Sequence, residues 1–216
     1  MNSVERWLDQ ALKRTGAEDL DTTWISSHFE NVAEPSTPKE ILDLATEASE
    51  IAIGKITTDS RWDALAASVV VFGLHEATPN TYVECVTALF KHVDDEGKPY
   101  PRVTHDVNRL SFMDTGVMIE NTLKPERDFM SYQGIRMLLA TYLLRDTTHN
   151  VPLETPQYLY MRMACGLYPD CIEQALEVYD YLSTGKISHA TPWMYNLGTP
   201  NADIGSCYLY NSGVND

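Results

Sequence analysis

The residues whose types and spacing could do chemistry lie near the end of the chain. Ile187-Ser188-His189-Ala190-Thr191-Pro192-Trp193-Met194-Tyr195-Asn196-Leu197-Gly198-Thr199 is followed shortly by Gly205-Ser206-Cys207-Tyr208-Leu209. Hydroxyl side chains stand at 188, 191, 199 and 206, and Pro192 and Gly198 punctuate the run. This reads as a loop carrying hydroxyl and backbone donors. Cys207 then opens an apolar run, Cys207-Tyr208-Leu209-Tyr210, which reads as a buried strand headed by a thiol. The chemistry on offer is hydrogen bonding from the loop and thiol reactivity from Cys207.

Positioning these groups falls to a series of helices. Val4, Trp7, Leu8, Ala11 and Leu12 recur at helical spacing, with Gly16 as the expected C-cap. A short helix is expected over Trp24 to Phe29. Thr37-Pro38-Lys39-Glu40 combines a capping box with proline at the first helical position. Ile41, Leu44, Ala45, Ala48 and Ile51 then share one face up to Gly54. Ser60-Arg61-Trp62-Asp63 opens a helix expected to reach Phe72 or Gly73. Thr78-Pro79 opens another, with Val83, Val86, Leu89 and Phe90 inward. Asp94-Asp95-Glu96-Gly97-Lys98 is a solvated turn without the ligand spacing of a calcium loop. Residues 104–123 read as one helix or two. Ile135 to Ala140 fits a short helix, Thr141 to Arg145 a strand, and Asp146 to Asn150 a turn. Thr155-Pro156-Gln157 caps a helix running to Cys165-Gly166. Ile172, Ala175, Leu176, Tyr179 and Leu182 mark the last helix, closing near Gly185. The expected fold is mainly α, with a different architecture starting only after that point.

Composition narrows the partners. A chain of 216 residues makes one large domain or two small ones. Its net charge of −15 repels polyphosphate, so a nucleic acid polymer is not expected as a partner. A mononucleotide stays possible, because backbone N–H groups at a helix N-terminus hold phosphate without a basic face. The opening Met1-Asn2-Ser3-Val4-Glu5-Arg6 carries no signal-peptide pattern, and apolar runs such as Val69-Val70-Val71-Phe72 are too short for a bilayer. The expectation is a cytoplasmic protein with no membrane partner. Cys85, Cys165, Cys171 and Cys207 form no Cys-x-x-Cys pair, and the first three sit in helical patterns where a small buried hydrophobe is the ordinary role.

The Thr191 segment resembles the first active-site segment of the ribonucleotide reductase large (alpha) subunit, class I type. In that family a Thr-Pro-x-x-x-Asn-x-Gly-Thr loop runs into a Ser-Cys-x-Leu strand. The matching residues are Thr191-Pro192, Asn196, Gly198-Thr199, Ser206-Cys207 and Leu209. Upstream, Arg127-Asp128-Phe129, Tyr132-x-Gly134 and Tyr142-Leu143-Leu144 are similar to the family's Arg-Asp-Phe, Tyr-Phe-Gly and Tyr-Leu-Leu run. Glu154-x-Pro156-Gln157 with Met161-Arg162 resembles one of its helices, and Leu74-His75 another. The likeness spans roughly residues 40 to 216 and is most specific from 127 to 209.

The resemblance implies a helical N-terminal domain followed by the first strand of an α/β barrel near 206 to 210. It divides the chain into remnant ATP-cone-like helices at 1–60, the helical domain at 61–185, and a substrate loop with the first barrel strand at 186–216. It implies reduction of ribonucleoside diphosphates to deoxyribonucleotides by radical chemistry. Cys207 matches the first cysteine of the redox pair that supplies reducing equivalents, a thiol being regenerable by exchange. Thr191 and Ser206 match positions that hold substrate phosphate or ribose; their alternative is to cap turns. Thr37 matches an effector-contacting threonine, a single-residue match, and Glu76 stands where a phosphate-contacting lysine often follows Leu-His. ATP or dNTP activity control is therefore not expected to survive. No cofactor is expected to be bound directly by this chain. The implied partners are the barrel portion of the large subunit, a metal-containing small subunit that generates the radical, and a dithiol reductant of thioredoxin or glutaredoxin type. The family's other catalytic groups fall beyond residue 216, so the chain alone is expected to be inactive. The competing reading is a non-catalytic helical interaction protein derived from this family.

Overall fold

A computed structural model describes residues 1–201 and 203–207. Its helices are α1 (Ser3–Thr15), α2 (Thr23–His28), α3 (Pro38–Ile53), α4 (Arg61–Ala77), α5 (Tyr82–Phe90), α6 (His105–Leu110), α7 (Met113–Thr122), α8 (Tyr132–Met137), α9 (Pro156–Leu167), α10 (Ile172–Ser183) and α11 (Thr191–Asn196). A 3-10 turn covers Pro125–Asp128 and a π turn Leu138–Tyr142. The one sheet among the described residues pairs β1 (Arg145–Asp146) with β2 (Val151–Pro152), antiparallel. The fold is mainly α, as the sequence implies.

The helix starts follow local chemistry. Asn2 and Thr37 each accept from the N–H three residues on, while Glu5 and Glu40 reach back to the cap backbone. Gly16 closes α1 in the left-handed region, at φ 63°. Two expected boundaries move. The helix expected to stop at Phe72 or Gly73 continues to Ala77, because its neighbours bury it almost all round and a single glycine does not end a buried helix. The start placed at Thr78-Pro79 belongs to Thr81, whose capping box with Glu84 opens α5. Residues 104–123 are two helices, broken at Ser111–Phe112.

Helix α4 is the central element. Trp62, Leu65, Ala66 and Val69 face a core shared with Trp7, Ile25, Phe29, Ala45 and Ala48. Val70, Val71 and Leu74 face a second core with Ile135, Leu138, Leu159 and Met163. The helices on both sides of residue 60 therefore share apolar packing. A Cβ on Gly73 would lie 2.2 Å from the Cβ of Ala45, so α3 and α4 cross too closely for anything larger there. A third core joins α5, α6, α7, α9 and α10 through Tyr82, Leu89, Val107, Ile119, Met161, Cys165, Ala175 and Tyr179. Helix α9 contributes to the second and third cores.

The strand expected at Thr141 to Arg145 is a correction. Backbone from Leu138 to Tyr142 continues α8 as a π turn, and only Arg145–Asp146 is extended and paired. Thr-Tyr-Leu-Leu has strand-forming side chains, but packing of Leu138, Leu139 and Leu143 against α4 and α9 keeps it helical. Of the strand expected near 206 to 210, residues 208–210 lie outside the described residues.

Candidate functional site

The Thr191 segment is not an irregular loop. Thr191–Asn196 forms one and a half turns of helix, with Pro192 in the first turn, where its missing N–H costs no hydrogen bond. Thr191 is exposed, and its Oγ1 lies 3.2 Å from the hydroxyl of Tyr142. The π turn brings Tyr142 there, and its ring sits 5.3 Å from that of Tyr195. His189 stacks flat on Trp193 at 4.5 Å between ring centroids. Beyond α11 the chain folds on itself. The Asn196 side chain donates to the Asp203 carbonyl and accepts from Asn201 Nδ2 at 3.1 Å. Thr199 Oγ1 donates to the Asn196 carbonyl at 2.7 Å.

Ser206 and Cys207 follow this knot, and both are exposed. The Cys207 Sγ lies 3.9 Å from Ser206 Oγ. Among the described residues no hydrogen bond joins Thr191 to Ser206 or Cys207. Thr37 sits elsewhere: its Oγ1 caps α3 by accepting from Glu40 N at 3.2 Å. With Lys39, Ala77, Asp146, His149 and Leu153 it lines a separate cleft of about 570 Å³. Glu76 is tied to Arg6 at 2.8 Å and to the Trp7 indole N–H at 3.0 Å.

What holds the Thr191 segment is a residue to which the sequence reading gave no role. Arg162 projects from α9 and is buried to 1% exposure. Its Nε donates to Glu154 Oε1 at 2.5 Å and its Nη2 to Glu154 Oε2 at 3.2 Å, a two-pronged pair. Glu154 is also 1% exposed and accepts from Leu144 N at 3.0 Å. The guanidinium then reaches outward: Nη1 donates to the Leu197 carbonyl at 2.5 Å and Nη2 to the Met194 carbonyl at 3.2 Å. The signal was a cation inside Met161-Arg162-Met163-Ala164-Cys165, since a buried charge demands partners. One turn along α9, Gly166 faces the backbone of Gly198, where a Cβ would come within 2.4 Å of Gly198 N. The Gly198 carbonyl accepts from Thr104 N at 3.0 Å.

A second polar cluster lies at the N-terminal end of α9. Asp128 is fully buried and accepts from Gln157 N and Nε2, both at 3.0 Å. His75 Nε2 lies 2.7 Å from its other oxygen. Tyr179 donates to Gln157 Oε1 at 2.5 Å and accepts from Lys124 N at 2.9 Å. Burial pushes the Asp128 carboxyl above its ordinary range, with the His75 and Gln157 hydrogen bonds opposing. His75, Asp128 and Gln157 line a cleft of about 160 Å³ with Thr78, Asn80 and Tyr158.

The thiols differ in setting. Burial raises Cys85 well above a free thiol and Cys165 to about 12, so both stay protonated and inert. Cys171 departs from the expected buried role: it is half-buried at the N-cap of α10, its Sγ 3.5 Å from Glu173. Among the described residues no group of three or more His, Cys, Asp or Glu is placed to hold a metal ion. Nor is any helix among them long and apolar enough to cross a membrane.

Residues 128–202 match the family described as ribonucleotide reductase, all-alpha domain. The ribonucleoside-diphosphate reductase large subunit of Arabidopsis thaliana is 30% identical over 164 residues, which is 75% of this chain and 20% of that protein. That of Plasmodium falciparum (isolate Dd2) is 33% identical over 154 residues, 71% of this chain and 19% of that protein. That of Vaccinia virus (strain Copenhagen) is 35% identical over 176 residues, 79% and 22% respectively. The chain spans about a fifth of the length of these curated relatives. Helix α9 and the segment seated on it both fall inside the matched all-alpha stretch, and the chain belongs to the ribonucleotide reductase large-subunit family.

Proposed function

We propose that this chain serves the reduction of ribonucleoside diphosphates to deoxyribonucleotides as part of a reductase large subunit. Residues 186–216 act as the substrate segment, 61–185 as the helical domain that carries it, and 1–60 as a remnant of an ATP cone. Thr191 and Ser206 hold the phosphate or ribose of the substrate. Cys207 is one of two cysteines that supply the reducing equivalents. The balance is simple: two thiols lose two electrons and two protons and become a disulfide. The ribose 2′-hydroxyl leaves as water, and hydrogen takes its place. The second thiol and the radical-bearing cysteine belong to the family's barrel, the radical originates in a metal-containing small subunit, and a dithiol reductant reopens the disulfide.

The observation that carries this reading is the exposure of Cys207 and Thr191 on a segment whose base is locked to the all-alpha domain by Arg162. An accessible thiol suits exchange with a partner thiol, whereas the buried Cys85 and Cys165 do not. The test is a single turnover by the assembled reductase without dithiol reductant. Cys207 should lose its reactivity to an alkylating agent in proportion to the deoxyribonucleotide formed, while Cys171 keeps its own. Product formed with Cys207 still fully alkylatable would exclude the assigned role.

A further inference from the structure

A buried cation is used to grip the Thr191–Thr199 segment. Arg162 satisfies its carboxylate partner with one side of the guanidinium and spends the rest on two carbonyls at the C-terminal end of α11. The last carbonyls of a helix lack partners within it and carry partial negative charge, so a cation is favoured there. A helix of six residues does not hold its shape unaided. Its conformation must come from what it rests on. Gly166 supplies the second element of that support, since only a residue without a Cβ lets the Gly198 backbone settle on α9. Gly198 itself has φ +78°, a conformation that other residues adopt only with strain. Thr104 N donates to the carbonyl of the same residue at 3.0 Å.

We propose that Arg162 and Gly166 form a seat on α9 for the Thr191–Thr199 segment, and that Arg162 is through it a positioning residue for the Thr191 hydroxyl. The seat stands on geometry alone; its consequence for substrate rests on the function proposed above. Thr191 begins the same short helix whose far end Arg162 holds, so fixing Met194 and Leu197 sets where Thr191 points. The buried ion pair and the seat are separable. Lysine at 162 keeps a charge opposite Glu154 but has no planar fork to reach both carbonyls. Alanine at 166 leaves the ion pair intact and pushes only the Gly198 backbone.

Amide hydrogen exchange on the full chain tests the seat. In Gly166→Ala and in Arg162→Lys, the amides of Leu197, Thr199 and Thr104 should exchange at least about tenfold faster, while those of α10 keep their protection. Should Arg162→Lys not fold, Gly166→Ala decides the matter. Unchanged exchange at Leu197 and Thr104 in that variant would overturn the seat. In the reductase assembled on the Gly166→Ala chain, KM for a ribonucleoside diphosphate should rise about tenfold with kcat held within about twofold. An unchanged KM beside a loosened segment would overturn the positioning role. A wild-type assembly that turns over no ribonucleotide would refute the function and leave the exchange result standing.

Discussion

Helix α9 carries two buried polar networks, one at its N-terminal end and one at its middle, and the two are built to different purposes. At its N-terminal end Gln157 joins Asp128, His75 and Tyr179, residues fixed within the helical body. At its middle Arg162 is satisfied by Glu154 yet extends two further donors to the Thr191 segment, whose first residue is exposed. The first network bonds the 3-10 turn and α10 to α9, with His75 at the edge of a cleft. The second couples α9 to the Thr191 segment.

The largest expected effect comes from breaking the second network at its centre. Arg162→Met should cost about 3–5 kcal/mol in urea unfolding, because Glu154 is left charged and unpaired in the interior. The double variant Arg162→Met with Glu154→Leu should recover most of that loss while the Leu197 amide stays deprotected. Recovery of both together would show that the seat does not depend on Arg162. Breaking the first network should cost less. Gln157→Leu removes the Nε2 donor to Asp128 and the acceptor of Tyr179 while the backbone N–H of residue 157 still serves Asp128, at about 1–3 kcal/mol by the same measurement. It should leave the exchange of Leu197 and Thr199 unaltered. A loosened Thr191 segment in that variant would mean that the two networks on α9 act as one unit.

The smallest of these effects is a pH dependence. Desolvation raises the Asp128 carboxyl above 3.8, so the folded state holds that proton to higher pH than the unfolded chain does. Its contribution to stability is therefore greatest below 3.8, falls as pH rises through the folded value, and is level above it. Asp128→Asn keeps the amide acceptor for Gln157 and removes the titration. The stability difference, wild type minus Asp128→Asn, should decline across that window. A flat or rising difference would place the charge in a better-compensated setting than His75 and Gln157 provide.

How much of this was legible in the sequence follows from how far apart the partners are. Capping is local, so Thr37-Pro38-Lys39-Glu40 and Thr155-Pro156 name their helices correctly. The start at Thr78-Pro79 failed because a second local signal, Thr81 with Glu84, lay three residues on and made the better box. Thr141 to Arg145 failed because tertiary packing overrode strand propensity. The helix at Thr191 was hidden because Pro192 reads equally as a loop marker and as a first-turn residue. Arg162 and Glu154 were quoted as part of a family pattern, but their function was out of reach. The carbonyls that Arg162 holds stand 32 and 35 residues away, and no periodicity links them. The roles of Cys207, Thr191 and Ser206 rest on family likeness; spacing alone gave a loop of donors and a thiol.

The most direct test of the central claim is multiple turnover by the reductase assembled with this chain, its barrel, its small subunit and a dithiol, comparing wild type with Cys207→Ser. The serine hydroxyl cannot enter a disulfide, and the exposed position means that packing should scarcely change. Wild type should form deoxyribonucleotide over many cycles, and Cys207→Ser should form none even in a first turnover, with unaltered urea unfolding of the chain. Sustained turnover by Cys207→Ser at the wild-type rate would contradict the account.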